Sequence, residues 1–487
     1  VSDAYEKAVN LIVEQVHQKK GKLVTSGMGK AGQIAMNIAT TFCSTGIPSV
    51  FLHPSEAQHG DLGILQENDL LLLISNLFCA SAQKWYKPEI DLKVEELLSQ
   101  MTVEEKLGYI GGIDWMYTKS IDRLGIHRMR MSDGPQGIGT KGKSTAYPAT
   151  VTLAATWNEN LAYQYGKALG RDCRARNINV ILGPAVNIYR APMCGRNFEY
   201  MGEDPYLTSR ICVGYIKGVQ DQGVMATVKH FVANNSDYDR NNISNDIDER
   251  TLNEIYFPAY KAAIQEAEVG AIMTSYNLMN GIYTTENPWL LKEVLRNQWG
   301  FKGLVMSDWG STHYCVPAAR SGLDLEMAGG EKMNPKDMAY YLKTGDVTMD
   351  MVDEKVRHIL RILIAFGFKD GTEADKSIAL DDPQSVETAL NVAREGLVLL
   401  KNENNILPIN PQKYKHIIVT GKNAHGYVHG GGSGAVVPFH YTNLFDGIQK
   451  EGKLNNVKVE YIDELDFMPS IMYTDDNLNE KGFHAEY

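Results

Sequence analysis

Five short stretches of this chain set carboxylates, cations and aromatic rings where apolar runs end. The most telling is Gly303-Leu304-Val305-Met306-Ser307-Asp308-Trp309-Gly310. Its apolar residues predict a buried strand, with a carboxylate and an indole at the carboxyl end. That pairing suits a sugar, because the ring lies against a pyranose face while the carboxylate attacks the anomeric carbon. An aspartate after a strand also serves as a helix cap, so this stretch alone decides nothing.

The other four are Ser132-Asp133-Gly134-Pro135, Gly195-Arg196-Asn197-Phe198-Glu199-Tyr200, Lys229-His230-Phe231 and Thr274-Ser275-Tyr276-Asn277. Asp133 can accept two hydroxyl hydrogens, and Arg196, Lys229 and His230 supply donors for a neutral polyol. Tyr276 can hold the orientation of Asp308 or contact the ring oxygen, and Trp309 offers a stacking platform. Each also has a plainer account. Asp133 before Gly-Pro is a normal turn residue, Arg196 and Glu199 can form a structural ion pair, Tyr276 can be core, and His230 can be a satisfied interior histidine. Five strand ends of matching chemistry make the plain accounts improbable together.

These residues need elements to hold them. Apolar strands are expected at Met129–Asp133, Val180–Asn187, Val224–His230, Gly270–Asn277 and Leu304–Asp308, with helices at Leu161–Arg174, Tyr206–Gln220, Glu249–Glu268 and Pro288–Gln298 between them. Strand and helix alternating at this spacing indicate parallel βα units, most simply a TIM-like (β/α)8 barrel, in which chemistry gathers at the carboxyl ends of the strands.

Residues 85–487 resemble a β-glucosidase of glycoside hydrolase family 3 through MSDGPQG, GRNFEYMGEDP, VKHFVANN, IMTSYN, VMSDWG and AREGLVLLKNENNILPI. The resemblance implies a retaining, two-step hydrolysis of non-reducing terminal β-linked glucose, with Asp308 as nucleophile. It implies Asp133, Arg196, Lys229 and His230 as hydroxyl ligands, completed by Tyr276 and Trp309. The substrates implied are small β-glucosides or oligosaccharides. Lys229-His230-Phe231-Val232-Ala233-Asn234-Asn235 lacks the His/Asp dyad loop of the family's N-acetylglucosaminidase branch, and Asp-Trp-Gly fits a glucosidase better than a xylosidase. The domains implied are a barrel at 85–369, a linker at 370–384, a partial α/β sandwich domain at 385–481, and the entry to an inserted β-sandwich module at 482–487. Ser385 is expected to cap a helix through Leu400, with a strand beginning at Ile417. The glycine-rich run Gly430–Gly434 reaches over the sugar in the family. The acid/base glutamate of such members follows the inserted module and is expected beyond residue 487.

Residues 1–76 read differently. A helix with apolar residues at 5, 8, 9, 12, 13 and 16 ends at Gly21, and strands follow at Lys22–Ser26 and Pro48–Leu52. GMGKAG, HPSEAQHGDLG and NDLLLLISN resemble half of a sugar-isomerase (SIS) domain of the arabinose-5-phosphate isomerase type. The Ser-Gly-x-Thr phosphate loop of that family is replaced by Asn76-Leu77-Phe78-Cys79-Ala80-Ser81-Ala82-Gln83, so isomerase activity is not expected. Residues 70–83 look like the apolar part and cleavage site of a secretory signal, with 77–84 as a junction. The hydrolase part would then be periplasmic or secreted, or cytoplasmic if the fusion is made as one chain. The chain starts at Val1 and ends at Tyr487 without a closing element, so both ends read as cut.

Composition sets the outer bounds. The 487 residues are 44% hydrophobic and 22% charged, ample for large cores. A net charge of −11 argues against nucleic acid and anionic membrane surfaces as partners. The six cysteines show no metal spacing and read as free buried thiols. No metal or other cofactor is expected.

Overall fold

The computed structural model describes residues 3–26, 30–53, 65–73, 85–140 and 142–462. The chain forms two compact units, Val1–Ala82 and Gln83–Tyr487. The turn at 27–29, most of HPSEAQHGDLG, the signal-like junction, the end of the partial second domain from 463 and the 482–487 module lie outside the described residues.

In the first unit the amphipathic helix α1 (Asp3–Ile12) is followed by β1 (Leu23–Ser26), α2 (Lys30–Ser44), β2 (Ser49–Phe51) and β3 (Leu70–Leu73). The three strands are parallel in the order β2-β1-β3. The central strand is buried throughout, as a strand flanked on both sides must be.

The second unit is built on a five-stranded parallel sheet. Its strands are β4 (Met131–Asp133), β5 (Val180–Leu182), β6 (Met225–Phe231), β7 (Ala271–Thr274) and β8 (Leu304–Met306), neighbours in chain order. All but the last residue of β4 are buried. This explains their almost unbroken apolar sequences, since helices cover parallel strands and leave no wet face. The sheet has five regular strands where eight were expected. Isolated bridges continue it past both edges, Met306 with Leu325, Glu326 with Gly111, and Tyr117 with Arg130.

The helices follow the sequence pattern with instructive departures. Helix α3 (Glu159–Ala175) turns Leu161, Ala162, Tyr165, Leu169 and Cys173 inward and is capped by Asn158, whose side chain accepts from the Leu161 N–H at 3.0 Å. Helix α4 (Pro205–Gln220) has Pro205 in its first turn and an Asp204 cap. The helix expected over 249–268 is broken into Glu249–Thr251, a wide turn at Leu252–Tyr256, and Pro258–Gln265. Pro258 has no N–H to continue the ladder. Farther on, Asp382 rather than Ser385 caps the helix Pro383–Gly396, because the Ser385 hydroxyl instead donates to buried Asp172 at 2.9 Å. The helix stops at Gly396, short of Leu400, and Leu397–Leu400 are exposed. The helix thus also takes the last two residues, Pro383 and Gln384, from the expected linker.

Beyond it lie the paired parallel strands β9 (His416–Thr420) and β10 (Lys458–Ile462). Cys173, Cys194 and Cys212 are buried and free, but Cys43 is exposed and Cys315 half-buried, so burial holds for only part of the cysteine set. Among the described residues, no helix is long and apolar enough to cross a membrane.

Candidate active site

The carboxyl ends of the five strands converge on one cavity of about 330 Å³. Asp133 ends β4, Lys229 lies near the end of β6, Tyr276 follows β7 by two residues, and Asp308 and Trp309 follow β8. All five line the cavity, as do Arg196, Phe198 and Glu199 from the loop after β5. Parallel strands point every carboxyl end the same way, which is why residues far apart in sequence meet here.

Asp308 is 7% exposed. Its Oδ1 accepts from the Trp309 N–H at 2.7 Å. Its Oδ2 is buried and has no hydrogen-bond partner, lying 3.9 Å from Arg196 Nη1 and 3.5 Å from His230 Nε2. Arg196 is otherwise engaged: Nε donates to Glu199 Oε1, and Nη2 lies 2.8 Å from His230 Nε2. A guanidinium can only donate, so His230 Nε2 is the acceptor and the imidazole is neutral, with its proton on Nδ1. Burial pushes the pKa of His230 well down, and the cations of Arg196, Lys229 and Arg240 act in the same direction. Burial opposes the charge of Arg196, but Glu199, Tyr200 and Asp308 outweigh it and raise its pKa.

Burial also raises the pKa of Asp133. Lys229 pulls it back down, while Asp308 and Glu199 push it up. The Tyr276 hydroxyl donates to the Trp309 carbonyl at 3.2 Å, and its pKa is raised by burial and by the nearby Asp308 carboxylate. Trp309 is fixed at its far edge, where Nε1 donates to the Trp115 carbonyl at 2.8 Å.

Six of the seven residues singled out from sequence line the cavity. His230 does not; it is 1% exposed, with its backbone held by Asn187 and by the Tyr260 hydroxyl. Its contacts are with Arg196 and Asp308, so it shapes the floor from behind. The sequence reading missed Trp115, Asp237 and Arg240, which also line the cavity. Arg240 lies 4.0 Å over the Tyr276 ring and bonds Asp237 at 3.1 Å. The Asp237-Tyr238-Asp239-Arg240 run of charges and a ring, beginning seven residues after His230, was the available signal.

The glycine-rich run supplies the remaining wall through Gly430–Ser433. A Cβ on Gly430 would stand 2.2 Å from the Phe198 ring, so only glycine lets this strand of backbone close over that ring. Its position is set by Val437 and Pro438, which pair in parallel with Lys143 and Ser144. The arrangement offers a buried carboxylate oxygen near polar donors and an indole wall, which is chemistry for a hydroxylated, uncharged ring.

Comparison with known proteins agrees with this chemistry. Residues 103–362 match the glycosyl hydrolase family 3 N terminal domain, and residues 397–481 match the glycosyl hydrolase family 3 C-terminal domain. A β-glucosidase of Rhizobium radiobacter is 41% identical over 363 residues, 73% of this chain and 44% of that protein. Thermostable β-glucosidase B of Acetivibrio thermocellus is 37% identical over 381 residues, 75% of this chain and 50% of the relative. Among solved structures, the β-glucosidase DesR of Streptomyces venezuelae in complex with D-glucose superposes with a TM-score of 0.71 at 35% identity, covering 78% of this chain and 50% of that one. β-Glucosidase 3B of Thermotoga neapolitana with α-D-glucose gives 0.67 at 32% identity, covering 79% and 57%. The chain spans about half the length of the curated relatives it matches.

Proposed function

Since the chain belongs to glycosyl hydrolase family 3, we propose that its second unit releases a non-reducing terminal β-linked glucose from small glucosides or oligosaccharides by retaining double displacement. The observation that carries the proposal is the Asp308 carboxylate, which lines a cavity ringed by hydroxyl-binding groups and has one oxygen without a hydrogen bond. In the first step a carboxylate oxygen of Asp308 bonds to the anomeric carbon as the glycosidic bond breaks, and the bonding pair leaves on the aglycone oxygen. In the second, water attacks the same carbon and loses a proton to solvent, Asp308 departs as carboxylate, and the sugar is released with its β configuration.

Asp133, Lys229 and Arg196 bind the sugar hydroxyls, Trp309 covers one ring face, and Tyr276 keeps the Trp309 backbone and Asp308 in register. His230 acts behind Arg196 as a neutral acceptor that aims the guanidinium. Arg240 and Asp237 belong to the same wall. We read the five-stranded sheet with its edge bridges as this family's barrel, bounded by 85–369, and 385–481 as its second domain. An activated phenol leaves as a stable anion, so an aryl glucoside is the substrate to try first. The test is proton NMR of 4-nitrophenyl β-glucoside turnover. β-Glucose as the first sugar formed supports the reading, and α-glucose or no turnover opposes it.

The first unit we take as an SIS-type fragment, on the support of its three parallel strands in the order β2-β1-β3, without isomerase activity. Lack of arabinose 5-phosphate turnover would agree with that reading, and turnover would contradict it.

A further inference from the structure

We propose that Glu286 is a positioning residue for the nucleophile, tying the loop that follows Asp308 to the loop that carries Tyr276; this rests on the function proposed above. Glu286 is 6% exposed and stands outside the lining of the cavity. Its Oε1 accepts from two consecutive backbone N–H groups, those of His313 at 2.8 Å and Tyr314 at 2.7 Å. Both belong to the stretch that runs on from Asp308 and Trp309.

Glu286 is the last member of a buried turn, Thr284–Glu286, that grips both loops. On one side, the Thr284 hydroxyl donates to the Ser275 carbonyl at 2.7 Å, and the Ser275 N–H donates to that hydroxyl oxygen at 3.1 Å. Ser275 directly precedes Tyr276. On the other side, the Thr285 hydroxyl donates to the Ser311 carbonyl at 3.1 Å. Ser311 in turn donates to the Asp308 carbonyl, through its N–H at 3.1 Å and its hydroxyl at 3.0 Å. A short chain of bonds thus leads from Ser275 through the turn to the backbone of Asp308, and Glu286 fastens its far side.

A plainer role would be capping, since the helix Cys315–Ser321 starts just beyond. A capping acceptor meets N–H groups inside the first turn. The Glu286 bonds fall ahead of that turn, on His313 and on Tyr314, which itself holds the cap position without a side-chain bond. One acceptor shared by two neighbouring N–H groups fixes the heading of the loop as well as its place. That matters because Asp308 lies two residues past β8, where the strand no longer constrains the chain. A shift of about an ångström there turns the carboxylate off its line of attack, at a cost on the order of 10²-fold in rate. Asp133, Arg196 and Lys229 stand on other elements, so sugar binding is not expected to follow the nucleophile.

The experiment compares the full chain with Glu286→Ala, Glu286→Gln and Thr285→Val. Two quantities are read for each. One is the maximal rate of adduct formation with 2-deoxy-2-fluoro-β-glucosyl fluoride, followed by intact mass; the other is the dissociation constant of glucose, by calorimetry. Glu286→Ala is expected to slow adduct formation about 30-fold and Thr285→Val about fivefold, with glucose affinity kept within about twofold in both. Glu286→Gln keeps an oxygen for the two N–H groups and is expected to stay within about threefold of the unaltered rate. Should the alanine variant fail to fold, Thr285→Val and Glu286→Gln decide on the same two readouts. Rate and glucose affinity falling together, an unchanged rate in Glu286→Ala or Thr285→Val, or a glutamine variant as slow as alanine, overturns the assignment while leaving the hydrolase reading intact. Failure of the unaltered chain to form the adduct overturns the hydrolase reading, and the assignment with it.

Discussion

Two clusters of one arginine, one aspartate and one histidine are tied to the same strand and serve opposite ends. At the carboxyl end of β8, Arg196 and His230 surround Asp308 at 3.9 and 3.5 Å, and Oδ2 of the carboxylate is left without a hydrogen bond. Within the strand, the Val305 N–H donates to Asp324 at 2.8 Å. Asp324 is also bound by Arg296 at 2.6 Å and His358 Nδ1 at 2.7 Å. Burial opposes the charge of Asp324, but His358 and Arg296 outweigh it and its pKa is lowered.

The contacts of the two carboxylates explain the difference. Asp324 is held by Arg296, His358 and the Val305 N–H, and His358 Nδ1 also lies 3.2 Å from Arg296 Nη2, closing a tight cluster. Arg196 Nη2 instead lies 2.8 Å from His230 Nε2, so that the guanidinium is occupied away from Asp308. The same residue types make a fastening in one place and, in the function proposed above, a reactive group in the other, and the number of bonds held by the carboxylate separates them.

Four predictions strain this contrast. The largest effect should come from Asp308→Asn, which removes the proposed nucleophile with almost no change in shape. Steady-state assays should show kcat/KM for an aryl glucoside falling on the order of 10⁴-fold, with the midpoint of thermal unfolding little moved.

Asp324→Asn should do the reverse. It leaves Arg296 and Lys355 buried with less compensation, and denaturant titration should show a loss of about 3–5 kcal/mol, because breaking a buried pair on one side strands the other. The kcat of the folded fraction should be largely kept.

Gly430→Ala drives a methyl into the Phe198 ring and displaces the wall over the sugar. A shift of that kind should lower kcat/KM by about 10²-fold without unfolding the chain.

The smallest effect concerns pH. Burial lowers the pKa of both His230 and His358, with neighbouring arginines adding to it, so the folded values lie below the ordinary one near 6.5. The unfolded chain therefore takes up protons first. Stability is complete above pH about 6.5 and falls as the pH drops through the folded values, by at most about 1.4 kcal/mol per unit for each imidazole. Denaturant titrations at stepped pH should show that decline, and His358→Asn should flatten it.

Much of the site was legible because parallel strands have a fixed grammar. Buried strands read as apolar runs, and their carboxyl ends carry polar residues aimed one way, so Asp133, Lys229, Tyr276, Asp308 and Trp309 could be gathered from sequence. What escaped depends on tertiary position. Trp115 stands on a turn between elements, and its place in the wall comes from a backbone bond to Trp309 that no local pattern announces. Arg240 follows His230 by ten residues, across a loop whose path the sequence does not fix. His230 was legible as a site residue but not as a buried one, because strand alternation cannot say which side chain faces the cavity when both faces are covered. Asp324, sixteen residues after Asp308, carried no such signal, because its role rests on Arg296 and His358, which come from other parts of the chain.

The central claim is that Asp308 is kept unsatisfied in order to bond to a sugar. Intact-mass spectrometry of the full chain after incubation with 2-deoxy-2-fluoro-β-glucosyl fluoride, followed by peptide mapping, tests it most directly. The reagent has a leaving group that needs no proton, and its glycosyl-enzyme turns over slowly. The account predicts one fluoroglucosyl adduct per chain, mapped to Asp308 and absent from Asp308→Asn. No adduct, or an adduct on another carboxylate such as Asp133, Glu199 or Asp237, would contradict it.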